Sequence, residues 1–251
     1  MATLFTFSGQ GAQKPSMLSD LPDVAAVRET LEHAADTLGM ATSTLETSEA
    51  LADTQSVQLA LTIAGVAAAR HLIAEGAEPG AVMGLSIGAW PAAVIAGVVD
   101  FDDALTLVAE RGRLMAEAFP GGYGMSAVIG LDESRVRALV EQHGTHGTPL
   151  YVGNVNSDQQ IVVAGSDAAL AELGKAAERA GASRVQRLDM AVPSHCMLLD
   201  GAADALARAA SDIAFAPPRR AYFSANARRR LRQAEAIRDD LVYNMARTVY
   251  W

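Results

Sequence analysis

Ala81-Val82-Met83-Gly84-Leu85-Ser86-Ile87-Gly88-Ala89-Trp90 is the stretch around which the rest of the chain is read. A short apolar run ends in Gly84-x-Ser86-x-Gly88, and a helical pattern, Ala92-Ala93-Val94-Ile95-Ala96, follows at once. Strand, turn and helix in that order form the setting in which Gly-x-Ser-x-Gly works as a nucleophile elbow. The serine sits on a strained turn, and side chains at either glycine position would collide with the neighbouring strand and helix. The turn also leaves Ser86 at a helix N-terminus, where N–H groups and the dipole favour developing negative charge. Pro91 falls in the first helical turn, where a missing N–H costs little. An ordinary small-residue turn satisfies the same five residues, so the pentapeptide alone leaves both readings open.

Half of the 251 residues are hydrophobic and 20% are charged, the mix of a soluble globular protein with a real core. A net charge of -9 argues against general nucleic-acid affinity, which needs a basic surface. The single cysteine, Cys196, allows no internal disulfide and fits a reducing cytoplasm. The N-terminal residues have no basic flank and no long apolar region, so no secretion signal is expected. The most apolar windows, 57–69 and 92–99, are too short to span a bilayer. A soluble, cytoplasmic protein is the expectation.

Working outward from the elbow, Leu4-Phe5-Thr6-Phe7 reads as a buried strand stopped by Ser8-Gly9-Gln10-Gly11-Ala12-Gln13. A glutamine bracketed by glycines after a strand suits a loop whose N–H groups approach a ligand; a plain turn reads the same way. Helical spacing covers 22–39 and 55–75 before the elbow and about 104–118 after it. Pro120-Gly121-Gly122-Tyr123-Gly124 marks a boundary. The next elements run β-α-β-β-α-β: strands at 125–131, 150–154, 160–164 and 184–188, helices at 133–143 and 168–180. That is the ferredoxin-like order. The expected fold is therefore α/β. A hydrolase-like core with a parallel sheet, residues 1–123 and 190–251, carries an inserted ferredoxin-like subdomain, 124–189. A helix to about Ala210, a strand at Ala221-Tyr222-Phe223-Ser224 and a helix over 234–246 complete the chain.

A serine nucleophile needs a base within hydrogen-bond reach. His33 and His71 fall in helical patterns, and His143 and His146 lack the carboxylate or cysteine partners of a metal site. No metal is expected. His195 follows Pro193-Ser194 where the chain re-enters the larger domain, and it is the candidate base.

Five motifs, Gly9-Gln10-Gly11-Ala12-Gln13, Gly84-Leu85-Ser86-Ile87-Gly88, Glu110-Arg111-Gly112, Asn154-Val155-Asn156-Ser157 and Pro193-Ser194-His195-Cys196, carry a resemblance. In order and spacing, from Leu4 to Trp251, the chain resembles the malonyl-CoA:acyl-carrier-protein transacylases. Leu85 and Ala89, with Asn244-Met245-Ala246-Arg247 near the end, look most like the epsilon (transacylase) subunit of bacterial malonate decarboxylase. The fatty-acid and polyketide branch, which more often has histidine and glutamate at those two positions, is the alternative.

The resemblance implies that Ser86 attacks the malonyl thioester and His195 takes and returns the proton. It implies an oxyanion hole from the backbone N–H groups of Gln10 and Ile87, and a grip by Arg111 on the free malonyl carboxylate. A guanidinium presents two parallel donors that match a carboxylate; a surface helix arginine is the plain alternative. Asn154, in a loop placed by the resemblance beside the active site, positions Ser86 or His195, or caps a turn. A main-chain carbonyl near the C-terminus orients the histidine in this family, and the matching segment is Thr248-Val249-Tyr250-Trp251. No permanently bound cofactor is implied. The CoA thioester is a substrate, and the phosphopantetheine-type arm comes with the acyl carrier protein, the malonate decarboxylase carrier subunit on the first reading. The arginines from Arg219 to Arg238 suit an acidic carrier protein and equally a solvated charge run. Family members usually continue past this tryptophan, so a shortened form is expected. Readings of other classes are a serine esterase or hydrolase and a non-catalytic scaffold subunit.

Overall fold

In a computed structural model, residues 3–190 and 192–251 are described. The chain is mixed α/β with two sheets and divides into two compact units, Met1–Leu114 with Ala205–Val242 and Met115–Asp204 with Tyr243–Trp251.

The first unit is built on a four-stranded sheet in the order β1 (Thr3–Phe7), β2 (Pro79–Gly84), β7 (Ala221–Ser224), β8 (Arg229–Leu231). The first three strands run parallel, with Phe7 opposite Gly84 and Gly84 opposite Ser224; β8 folds back antiparallel, with Ser224 opposite Arg229. Register alone thus brings the ends of β1, β2 and β7 to one edge, where the elbow follows β2. Helices α1 (Ala25–Leu38), α2 (Thr54–Ala74), α3 (Ala89–Ala96), α4 (Phe101–Ala118) and α8 (Ala234–Tyr243) belong wholly or mainly to this unit.

Asp53 starts α2 by accepting the Ser56 N–H at 2.8 Å, the side-chain cap that satisfies one orphan donor of the first turn. The helix runs 21 residues, past the apolar window 57–69 read from sequence, because its polar ends stay helical. Among the described residues it is the one helix long and apolar enough to cross a membrane, which the window length did not anticipate. Its apolar surface packs here against α1 and α3, and Leu59, Ile63 and Val66 are in the core.

The second unit holds a five-stranded sheet in the order β6 (Arg184–Arg187), β3 (Tyr123–Ile129), β5 (Gln160–Ser166), β4 (Leu150–Ser157), β9 (Val249–Tyr250). The four strands from β3 to β6 pair antiparallel, and α5 (Glu133–His143) and α6 (Asp167–Arg179) pack on them. Asp132 caps α5 through the Arg135 N–H at 2.9 Å. Val128, Leu131, Ile161, Val163 and Leu173 close the core between helices and sheet.

This unit takes in more chain than residues 124–189. Short strand β9 pairs parallel with β4, Asn154 opposite Val249 and Val155 opposite Tyr250, which draws the last residues into the sheet. The Tyr250 hydroxyl lies 3.3 Å from an Arg137 guanidinium nitrogen on α5. Cys196 is buried against Met125, Ala127, Val162 and Ala164, drawing in the segment before the one-turn helix Met197–Leu199 and α7 (Asp200–Ala209). Neither β8 nor β9 was anticipated from sequence.

Candidate active site

Ser86 occupies the first position of a one-turn 3-10 helix, Ser86–Gly88, between β2 and α3. Its φ is 53°, a left-handed conformation costly for a residue with a side chain and held only by tight surroundings. Those surroundings are backbone. A Cβ on Gly84 would lie 2.0 Å from the Gly88 carbonyl oxygen, and one on Gly88 would lie 2.3 Å from that of Phe7. The Leu85 N–H donates to the Phe7 carbonyl at 2.9 Å, tying the elbow to the end of β1.

The Gln10 loop leaves β1 at that point. A Cβ on Gly9 would approach the Leu85 carbonyl oxygen to 2.9 Å, so Gly9 lets the loop close on the elbow. Gly11 has φ 108° and its N–H donates to Gln13 Oε1 at 2.6 Å, fixing the turn after Gln10. Ile87, second in the 3-10 turn, is among the first residues of a helix, whose N–H groups have no intrahelical partner.

Arg111 comes from the middle of α4 and is 1% exposed. One Nη donates to Gln58 Oε1 at 2.5 Å, and the other lies 3.4 Å from Ser86 Oγ. Both of these partners are neutral, and burial pushes the guanidinium down to about 9. Gly112 makes the placement possible: a Cβ there would lie 2.5 Å from Gln55 Cα, so α4 crosses α2 where it does because residue 112 lacks a side chain. Gln55 reinforces the crossing by donating to the Ala109 carbonyl at 2.8 Å. Gln58, 1% exposed, was missed in sequence; a glutamine in an otherwise apolar helical run was the available signal. Arg113 points elsewhere, into an ion pair with Glu110.

In the second unit His195 also has a positive φ, 65°, and is 4% exposed. Its backbone N–H donates to the Met245 carbonyl at 2.6 Å. Its Nδ1 lies 2.7 Å from the Asn244 carbonyl oxygen. A carbonyl only accepts, so Nδ1 carries the proton and Nε2 is left with the lone pair of a base. This acceptor corrects the sequence expectation, which put the orienting carbonyl within 248–251. Val249 and Tyr250 are engaged with β4, whereas the one-turn helix Asn244–Ala246 brings the Asn244 carbonyl to the ring.

Asn154 lies within β4, which runs past the expected end at 154 to Ser157, so the loop placed there by the resemblance is strand; its backbone pairs with Val162 and Val249. Next to it, a Cβ on Gly153 would lie 3.0 Å from the Ser194 carbonyl oxygen and 3.7 Å from His195 Cβ, a close approach of β4 to the histidine segment. Cys196 donates to the Pro193 carbonyl at 3.2 Å, and burial pushes its thiol up to about 12, which makes it a poor nucleophile. A cavity of ≈ 840 Å³ in this unit is lined by His195, Cys196, Tyr151 and Arg247 among others. Among the described residues no group of three or more His, Cys, Asp or Glu could hold a metal ion.

Residues 4–250 match the acyl transferase domain family, and the chain belongs to that family. It is 38% identical over 253 residues to the malonyl CoA-acyl carrier protein transacylase of Escherichia coli strain K12, spanning 98% of this chain and 82% of the relative. Among solved structures, the malonyl CoA-acyl carrier protein transacylase from Coxiella burnetii superposes with a TM-score of 0.95 at 33% identity, covering 99% of this chain and 80% of the other. A malonyl-transacylase solved in complex with a type II PKS acyl-carrier protein superposes with a TM-score of 0.94 at 36% identity, covering 100% and 83%.

Proposed function

We propose that this protein is a malonyltransferase that moves malonyl from malonyl-CoA to the phosphopantetheine-type thiol of an acyl carrier protein. The observation that carries the reading is the buried guanidinium of Arg111 beside Ser86 Oγ, 3.4 Å away. A cation next to a nucleophile suits an acyl group that bears its own carboxylate. Ser86 Oγ attacks the thioester carbonyl carbon while His195 Nε2 takes its proton. CoA leaves as the thiol with that proton, and a seryl ester remains. The carrier's thiol then attacks the ester, again deprotonated by His195, and Ser86 recovers its hydrogen. The N–H groups of Gln10 and Ile87 form the oxyanion hole, each worth roughly 3 kcal/mol in the transition state. Arg111 holds the malonyl carboxylate, Gln58 orients Arg111, and Asn154 helps position the histidine segment. No resident cofactor takes part, and malonyl-CoA and the carrier protein fit a cytoplasmic setting.

The names of the relatives favour carrier loading for fatty-acid or polyketide synthesis over the malonate decarboxylase reading. For the architecture, we read the first unit as an α/β-hydrolase-like core and 124–189 as an inserted ferredoxin-like subdomain, extended by the later segments that join its sheet and core. The strand order β6-β3-β5-β4 with two helices supports the second part of that description.

Intact-protein mass spectrometry after mixing with malonyl-CoA tests the reading, beside Ser86→Ala. A malonyl adduct on the parent alone, discharged by added holo-carrier protein, is the expected result. An adduct that only water removes would make the protein a hydrolase, and a folded parent with no adduct would make it a scaffold.

A further inference from the structure

We propose that the β7–β8 hairpin, with Arg230 opposite the exposed ring of Phe223 and Arg228, Arg229 and Arg232 flanking it, is a docking surface for the acidic face of the carrier protein. This rests on the acyl-transfer reading above. Register sets its location. Gly84, two residues before Ser86, pairs with Ser224 of β7, and Ser224 pairs with Arg229 of β8. Adjacent strands lie ~4.8 Å apart, which puts the Arg229 backbone about 10 Å from that of Gly84, at the same end of the sheet as the elbow. In open α/β sheets ligands approach at the carboxyl ends of the parallel strands. A carrier seated on the hairpin has its arm directed at the edge that holds Ser86.

The charge is concentrated and available. On a chain of net charge -9, Glu235 is the only acid between Arg219 and Arg238. Arg229, Arg230 and Arg232 are exposed and make no ion pair among the described residues, whereas Arg28, Arg113, Arg137, Arg187 and Arg247 each pair with a carboxylate. Phe223, 37% exposed, stands directly opposite Arg230 and so shares its face. Arginine around an aromatic ring is the composition enriched at protein interfaces.

The platform is also rigid. Tyr222 and Leu231 are buried beneath it, opposite one another. The Tyr222 hydroxyl and Ser224 Oγ donate to the two oxygens of the Asp240 carboxyl at 3.1 and 2.5 Å, and Ser224 Oγ accepts the Ala227 N–H at 2.8 Å. A hairpin pinned this way offers its arginines with little ordering left to do on binding.

The test is the double variant Arg229→Glu/Arg230→Glu, with Arg179→Glu/Arg184→Glu in the other unit as a control of equal charge change. The hairpin variant is expected to raise the KM for holo-carrier protein about tenfold and to flatten its dependence on salt, while transfer to free pantetheine holds. Anisotropy of a labelled holo-carrier reads the same loss without any chemistry. A KM equal to the parent's, or an equal loss in the control, overturns the proposal. So does a neutral Arg229→Gln/Arg230→Gln variant that self-associates with KM unchanged, because the arginines would then only guard a sheet edge. If the hairpin variant fails to fold, the parent decides: a carrier affinity indifferent to salt overturns the proposal. A parent that forms no malonyl adduct yet binds carrier through these arginines would sink the catalytic reading and leave the docking surface standing.

Discussion

Replacing Arg111 with methionine separates what this side chain costs the fold from what it gives the reaction. Burial lowers its pKa from the usual guanidinium range to about 9, so folding favours the neutral form. Below pH 9 the group is charged in both folded and unfolded chains, and the penalty is present in full; it fades only as pH rises above 9 toward the ordinary guanidinium value. The size is roughly 5 kcal/mol, an upper bound, because buried groups relax. Methionine fills similar space without charge. Arg111→Met is therefore expected to melt at or above the parent's temperature at pH 7.5. Its effect on malonyl transfer has the opposite sign. Removing one partner of a buried ion pair costs about 3–5 kcal/mol, or about 10² to several times 10³ in kcat/KM. Acetyl-CoA brings no carboxylate, so acetyl transfer should hold or rise. Arg111→Lys should fall between, since one ammonium cannot serve both Gln58 and a carboxylate in the same geometry. The assay is single-turnover acylation with malonyl-CoA and acetyl-CoA in parallel, with thermal melts of each variant. Equal losses for the two acyl groups would refute the assignment of Arg111 to the carboxylate, and a large fall in melting temperature would refute the assessment of its cost.

Two other perturbations follow from the same geometry. Gly88→Ala puts a Cβ 2.3 Å from one carbonyl oxygen and 2.6 Å from the next, on backbone that cannot yield, so a loss of about 1–3 kcal/mol together with the acyl adduct is expected. A variant as stable and as readily acylated as the parent would show that the elbow is not strained in this way. Asp240 is pushed up by burial to about 6 from 3.8, so the folded chain holds its proton longer and a stability penalty builds as pH rises through that window. Asp240→Asn should accordingly raise the urea midpoint at pH 7.5, by an amount equivalent to roughly 3 kcal/mol at most, and leave it unchanged near pH 3.5. A gain of the same size at both pH values would rule out titration of Asp240 as the cause.

Much of the site was legible because glycine and its neighbours report local backbone demands. Gly84 and Gly88 announced a turn that admits no side chain, whereas the closure of the Gly9 loop on that turn came from the structure. Helix α5 and strand β7 were readable to the residue, since a cap or flanking turn residues bound each of them. Short strands were not. Three residues of β8 are mostly arginine, and the two of β9 show no alternation to detect, so pairing with a neighbour alone makes them strands. The strand ending at Asn154 was read too short for the same reason: pairing with the strands on either side carries β4 on to Ser157, and the loop that the resemblance placed at Asn154 is strand.

By itself the sequence determined the elbow, the order of the longer helices and strands, and the residue types a malonyl-transfer site requires, because each is encoded within a few adjacent residues. Tertiary structure decided what reaches them. Gln58 meets Arg111 across 53 residues, at a helix crossing that Gly112 and Gln55 set together. The acceptor for His195 Nδ1 is a backbone carbonyl 49 residues away. Every residue has such a carbonyl, so no side chain marks the one that is used; only the path of the folded chain selects Asn244.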